Sequence, residues 1–338
     1  MAPLAAILGL SGHRLTTAEK TFFRDADPWA FILFSRNVDS PDQIYRLCSD
    51  LRNAVGREAL VFVDQEGGRV QRLKAPNWRA YPTGATYAGL YDKNEETGTR
   101  AAFLGHRLIA DDLRAVGITA DCAPVLDLPQ PGADPIISDR AFGDRTEQIV
   151  DLAHAAMAGL MQGGVAPVIK HIPGHGRATV DSHLSLPRID TSRALLEHTD
   201  FVPFRRLADA PMAMTAHAVY TAADDQPVTT SASALKSLIR EAIGFDGLLM
   251  SDDLDMKALS GDNLTIKTEA ALSAGCDIAL QCSGDLPDMI GVAKGCKALA
   301  GRGLARAEIA ENAAGKPDEF DRADAEAEFD DILSPFAV

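Results

Sequence analysis

The chain has 338 residues, with 48 acidic against 33 basic side chains and a formal net charge of −15. That balance argues against a protein that grips a phosphate backbone, because such proteins neutralise phosphates with clustered Lys and Arg. Hydrophobic content of 46% and charged content of 24% fit an ordinary globular chain with a sizeable core, and no stretch approaches the ~20 apolar residues of a membrane span.

The N-terminus, MAPLAAILGL, lacks the positively charged start of a secretory signal and reads as a first core strand. Five cysteines (Cys48, Cys122, Cys276, Cys282 and Cys296) form no CxxC pair. They point to free thiols in a reducing compartment, with neither zinc nor a disulfide framework. Both features lead us to expect a cytoplasmic protein.

Strand-like and helix-like runs then alternate. Residues 5–9 read as strand, 17–25 as helix and 30–34 as strand. Ser40-Pro41 supplies a cap and an N1 proline for a helix to about 55. Residues 59–63 read as strand, followed by a long Pro-, Gly- and Tyr-rich connection to about 94. A long helix at 95–116 leads to a strand at 118–120, a polar insertion and a helix at 147–162. Strands at 165–169, 211–215, 247–250 and 277–280 alternate with helices at 192–207, 233–243, 264–274 and 286–300. Eight such repeats predict an α/β fold, a (β/α)8 TIM barrel in a single domain over 1–300. No G-x-G-x-x-G follows an early strand, which weakens a dinucleotide-binding alternative. Residues 301–338 carry ten acids against four bases. They read as an acidic helical extension, packed on the barrel or trailing from it.

Polar residues gather where the strands end. The ends read Ser35-Arg36-Asn37, Asp64-Gln65-Glu66, Asp121, Lys170-His171, His217 and Ser251-Asp252-Asp253. A barrel places these positions on one face, and that face carries the chemistry. Packing alone asks for none of them, so the pattern points to an enzyme. Asp252 follows the apolar Leu248-Leu249-Met250; it is either a desolvated carboxylate or a helix cap, a job that Asp253 could fill alone. His217 is expected to face the site, with no role assigned. The densest stretch runs from Val168 to Leu186, VIKHIPGHGRATVDSHLSL. Its Asp181 stands two residues from His183 and can orient the imidazole or raise its pKa.

Lys170-His171-Ile172-Pro173-Gly174-His175-Gly176, followed by Asp181-Ser182-His183, resembles the KH-[FI]-PGHG…D-x-H signature of family-3 glycoside hydrolases. Within that family it resembles the single-domain bacterial β-N-acetylglucosaminidases (β-hexosaminidases) of the NagZ type. The resemblance implies a retaining glycosidase that needs no metal or organic cofactor. Asp252 falls in the nucleophile position, His183 in that of the general acid/base, and Asp181 in that of its orienting carboxylate. Such a histidine departs from the usual pair of carboxylates. The family often has a small residue where Asp255 stands, which lies past the nucleophile. Asp64, Arg72, Arg140, Lys170 and His171 match sugar-binding positions; the alternative for each is a structural ion pair, such as Asp64 with Arg72. Gly174 and Gly176 suggest a loop that moves to deliver His183.

The implied substrate is a GlcNAc-containing muropeptide fragment, GlcNAc-1,6-anhydro-MurNAc, in peptidoglycan recycling. Neither nucleic acid nor membrane is expected as a partner, and a monomer is the expectation. Two other functions remain open: a β-N-acetylglucosaminide phosphorylase using the same site, and a sugar-binding barrel without catalysis. A neutral histidine does not repel phosphate as a carboxylate would, which keeps the first open.

Overall fold

Side chains alternate in direction along a strand, so short runs that are apolar throughout must bury both faces. The computed structural model, which describes residues 2–182, 184–259, 261 and 263–334, does this with a closed parallel barrel of eight strands. They are β1 (Leu4–Leu8), β2 (Pro28–Leu33), β3 (Leu60–Val63), β4 (Ala120–Asp121), β5 (Ala166–Ile172), β6 (Met212–Thr215), β7 (Leu248–Asp253) and β8 (Ile278–Gln281). Neighbours in sequence are neighbours in the barrel, and β8 closes on β1 with Ala6 opposite Ala279. The fold is the expected (β/α)8 TIM barrel.

Ile7, Ile32, Phe62, Val168, Met250 and Leu280 share the buried interior cluster with Trp29. Leu8, Leu33, Val63, Ile169 and Leu249, one position along their strands, belong to the outer cluster beneath the helices. Helix Gly301–Ala313 closes the N-terminal end of the barrel. Its Ala307 and Ala310 join the interior cluster, and Trp29 Nε1 donates to Glu311 Oε1 at 2.7 Å. Helix Arg322–Leu333 buries Phe329 against the long helix Glu95–Ala115. No helix among the described residues is long and apolar enough to cross a membrane.

Three departures from the expected elements have local causes. The helix expected at 192–207 is two helices, Arg193–His198 and Phe201–Arg206. Pro203 lacks the N–H that a continuous helix would need there. The helix expected to reach 300 stops at Gly295, because the chain then runs back under β1: Ala5 N donates to Lys297 O and Leu299 N to Pro3 O. The long connection after β3 holds a hairpin (Gln65–Gly67 with Val70–Gln71) and a helix, Gly84–Lys93, capped by Thr83 Oγ1.

Candidate active site

The C-terminal ends of the strands surround a cavity of about 180 Å3. Asp64 from the end of β3, Lys170 and His171 from β5 and Asp252 from β7 line it. Arg72, just past the hairpin, and Arg140, from the turn Ser138–Arg140, complete the wall. Six of the eight expected site residues thus meet in one place. Asp181 lies beside it: its neighbour Ser182 lines the cavity and accepts from Ala258 N at 3.2 Å. His183 lies outside the described residues.

Ion pairs bind the wall together. Asp64 accepts from Arg72 Nη2 at 2.8 Å and from Lys170 Nζ at 3.1 Å. Lys170 also reaches Glu66 Oε1 at 2.7 Å, and Glu66 takes a two-pronged bond from Arg140 at 2.7 and 2.8 Å. The chain of contacts, Arg72–Asp64–Lys170–Glu66–Arg140, carries three positive charges on two negative ones. Burial opposes ionisation of Glu66, but Arg140 and Lys170 outweigh it and hold the carboxyl at about 2. Burial is outweighed in the same way at Asp64, where Lys170 and Arg72 keep the carboxyl well below its usual range. The Asp64–Arg72 ion pair, the alternative to sugar binding at these positions, therefore forms. Each Asp64 oxygen in it keeps a second lone pair that could face a ligand.

Hydrogen bonds aim the remaining groups. Asp127 accepts from His171 Nδ1 at 2.7 Å, from His171 N at 3.2 Å and from His175 N at 2.6 Å. Burial pushes Asp127 up, but the two histidines win and hold it at about 2. With Nδ1 on Asp127, Nε2 is the His171 atom left for the cavity. The turn that follows is fixed at this end. Gly174 sits at φ 128, its carbonyl accepts from Tyr220 Oη at 2.6 Å, and a Cβ on Gly176 would lie 2.0 Å from Leu128 O. The two glycines therefore serve a left-handed turn and a close backbone approach.

At β7, Asp253 N donates to Asp252 Oδ1 at 2.8 Å. Asp253 is the carboxylate disfavoured as an anion: burial first, then the charges of Asp255 and Asp252, push it up to about 7. Neither residue caps the next helix, since Asn263 caps Leu264–Ala274.

Not every polar strand end reaches the cavity. Asn37 turns away to hold the carbonyls of Leu10 and Gly12. Asp121 supports Gln65 N at 2.9 Å, and Gln65 in turn receives Arg72 N at 2.8 Å, which fixes the hairpin. His217, expected to face the site, is buried behind the wall with both ring nitrogens bonded.

The sequence profile described as Glycosyl hydrolase family 3 N terminal domain matches residues 11–314. The chain belongs to glycosyl hydrolase family 3. As a family-3 member it is a glycoside hydrolase. The β-hexosaminidase of Alkalilimnicola ehrlichii is 42% identical over 284 residues, covering 82% of this chain and 80% of that one. The β-hexosaminidase of Thioalkalivibrio sulfidiphilus is 36% identical over 322 residues, covering 90% and 92%. NagZ from Neisseria gonorrhoeae, solved in complex with N-trifluoroacetyl-D-glucosamine, superposes with a TM-score of 0.88 at 32% identity. That match covers 99% of each chain.

Sequence reasoning gave no role to Glu66 or Asp127 in this family-3 site. Glu66 stood there only as part of a strand-end run, and the partners of both residues are distant in sequence.

Lys170 is the hinge of the charge network, being 2% exposed and shared by Asp64 and Glu66. Lys170→Met leaves two neighbouring carboxylates short of a cation, and removing one partner of a buried pair costs about 3–5 kcal/mol. Urea unfolding should show a loss of that order; a midpoint equal to that of the wild type would mean the network holds without Lys170.

Proposed function

We propose that this glycoside hydrolase is a β-N-acetylhexosaminidase acting as a retaining exo-β-N-acetylglucosaminidase. The observation that carries the reading is that Asp252 shares one small cavity with Asp64, Lys170 and His171. A carboxylate on one wall faces groups suited to sugar hydroxyls on the others. The cavity, about 180 Å3, suits a single terminal sugar; pockets for larger, drug-sized ligands run to ~300–1,000 Å3. The N-trifluoroacetyl-D-glucosamine held by the gonococcal relative supports GlcNAc as that sugar.

In this reading Asp252 attacks the anomeric carbon and the bond to the leaving oxygen breaks. Protonated His183 gives that oxygen its proton. Water then attacks the glycosyl ester, neutral His183 takes its proton, and Asp252 leaves as carboxylate. Two inversions retain the β configuration. Asp181 stabilises the imidazolium between its two duties. Asp64 accepts from glycon hydroxyls with its free lone pairs, while Arg72, Arg140, Lys170 and His171 donate to other hydroxyls or to the acetamide carbonyl. The motif resemblance and the likeness to NagZ support GlcNAc-1,6-anhydro-MurNAc, with or without peptide, as substrate in cytoplasmic peptidoglycan recycling.

The test is release of p-nitrophenol from its β-GlcNAc glycoside, in phosphate-free buffer and in phosphate. Free GlcNAc in both is the expected product. A rate that rises with phosphate and yields GlcNAc-1-phosphate would convert the reading to phosphorolysis. GlcNAc binding with no release from any aryl glycoside would leave only a sugar-binding barrel.

A further inference from the structure

His217 stands at the end of β6, next to β7 in the barrel, and is 1% exposed. It does not line the cavity, so it does not touch a sugar held there. Its two ring nitrogens are nonetheless committed. Nε2 lies 3.0 Å from the Asp253 carbonyl oxygen, and Nδ1 lies 2.8 Å from Thr229 Oγ1. A carbonyl can only accept, so Nε2 carries the proton; in a neutral ring Nδ1 then accepts from the Thr229 hydroxyl, whose proton has a longer alternative acceptor in the Ala216 carbonyl at 3.3 Å. Thr229 Oγ1 then accepts from Thr215 Oγ1 at 2.8 Å. The bonds run one way, from Thr215 through Thr229 and His217 to the backbone of β7. Burial, which lowers the His217 pKa, agrees with a neutral ring.

The carbonyl so held belongs to the residue that follows Asp252, one peptide beyond the bond that joins the two. The N–H of Asp253 fixes Asp252 Oδ1 at 2.8 Å, and the carbonyl of the same residue is the group gripped by His217. The Asp253 side chain is tied as well, its Oδ1 accepting from Cys282 N at 3.0 Å. Residue 253 is therefore held at its carbonyl from β6 and at its side chain from the end of β8. One oxygen of the Asp252 carboxylate is thus tied to a residue that is itself held in place.

We propose that His217 is a positioning residue for the reaction, aiming Asp252 at the anomeric carbon through the backbone of Asp253. The proposal rests on the reading of Asp252 as nucleophile. A displacement of about 1 Å at a reacting group can lower the rate by about 100-fold, so the grip has a kinetic consequence without any contact to substrate.

The test compares His217→Ala, His217→Gln, His217→Asn and Asp252→Ala in the full chain. It uses an aryl β-GlcNAc glycoside as substrate and GlcNAc as competitive inhibitor. His217→Ala should lower kcat by about 10- to 100-fold while KM and GlcNAc inhibition stay near wild type. Gln places an amide N–H near the position of Nε2 and should return most of the lost rate. Asn reaches only as far as Nδ1 and should not. A purely space-filling role would not separate Gln from Asn by hydrogen-bond reach. If the alanine variant does not fold, the Gln and Asn pair decides alone. Equal rates for Gln and Asn, or a kcat loss matched by weaker GlcNAc inhibition, would overturn the proposal. So would a wild-type rate in His217→Ala beside an inactive Asp252→Ala. Turnover retained by Asp252→Ala would instead bring down the nucleophile reading, and the positioning role with it.

Discussion

Asp252→Ala should remove turnover by about 10⁴- to 10⁶-fold, the range seen when a member of a nucleophilic constellation is deleted. GlcNAc binding should survive, because Asp64, Lys170 and His171 are held by β3 and β5 and by their own partners Arg72, Glu66 and Asp127. The substitution also opens space beside the anomeric carbon. Azide should enter it, restore part of the rate with an activated glycoside and yield the α-glycosyl azide, since only one inversion then occurs. Rates and products on an aryl β-GlcNAc glycoside, with calorimetry on GlcNAc, read all three expectations. A variant that turns over like wild type would end the assignment.

The barrel and its catalytic face were legible because both follow from local rules. Eight apolar runs separated by helical periodicity imply a parallel sheet, and polar residues at the ends of those runs are conspicuous against them. Asp64, Lys170, His171 and Asp252 could be named on that ground and do line the cavity. Arg72 and Arg140, carried by loops, came from the motif resemblance. What stayed hidden depends on pairing across the fold. Glu66 meets Arg140 from 74 positions away, and Asp127 meets His171 from 44. No periodicity encodes such a pair. The helix Gly84–Lys93 was masked by Pro82 and two glycines, which look like turn residues although Thr83 caps it. His217 was misplaced for a related reason. Strand-end position predicts the face a residue belongs to, but whether its ring meets the cavity or the next strand depends on Thr229, which the following loop supplies.

His183→Ala tests the other half of the chemistry, and its signature lies in the leaving group. A general acid is needed where the departing alkoxide is poor, and proton transfer of this kind contributes about 10²- to 10⁴-fold. The kcat/KM for a sugar aglycone or an alkyl glycoside should fall by that order. A dinitrophenyl glycoside, whose leaving group needs no proton, should keep most of its kcat/KM. Its kcat should still drop, because the same imidazole must later activate water against the glycosyl ester, and ester breakdown becomes limiting. The two parameters therefore part company in one variant, which a distorted loop would not produce. Asp181→Asn should show the same pattern more weakly, since it leaves the imidazole in place and removes only the charge that steadies its protonated form. Equal losses of kcat/KM on good and poor leaving groups would assign His183 to the architecture of the loop and return the search for the acid to the other groups around the cavity.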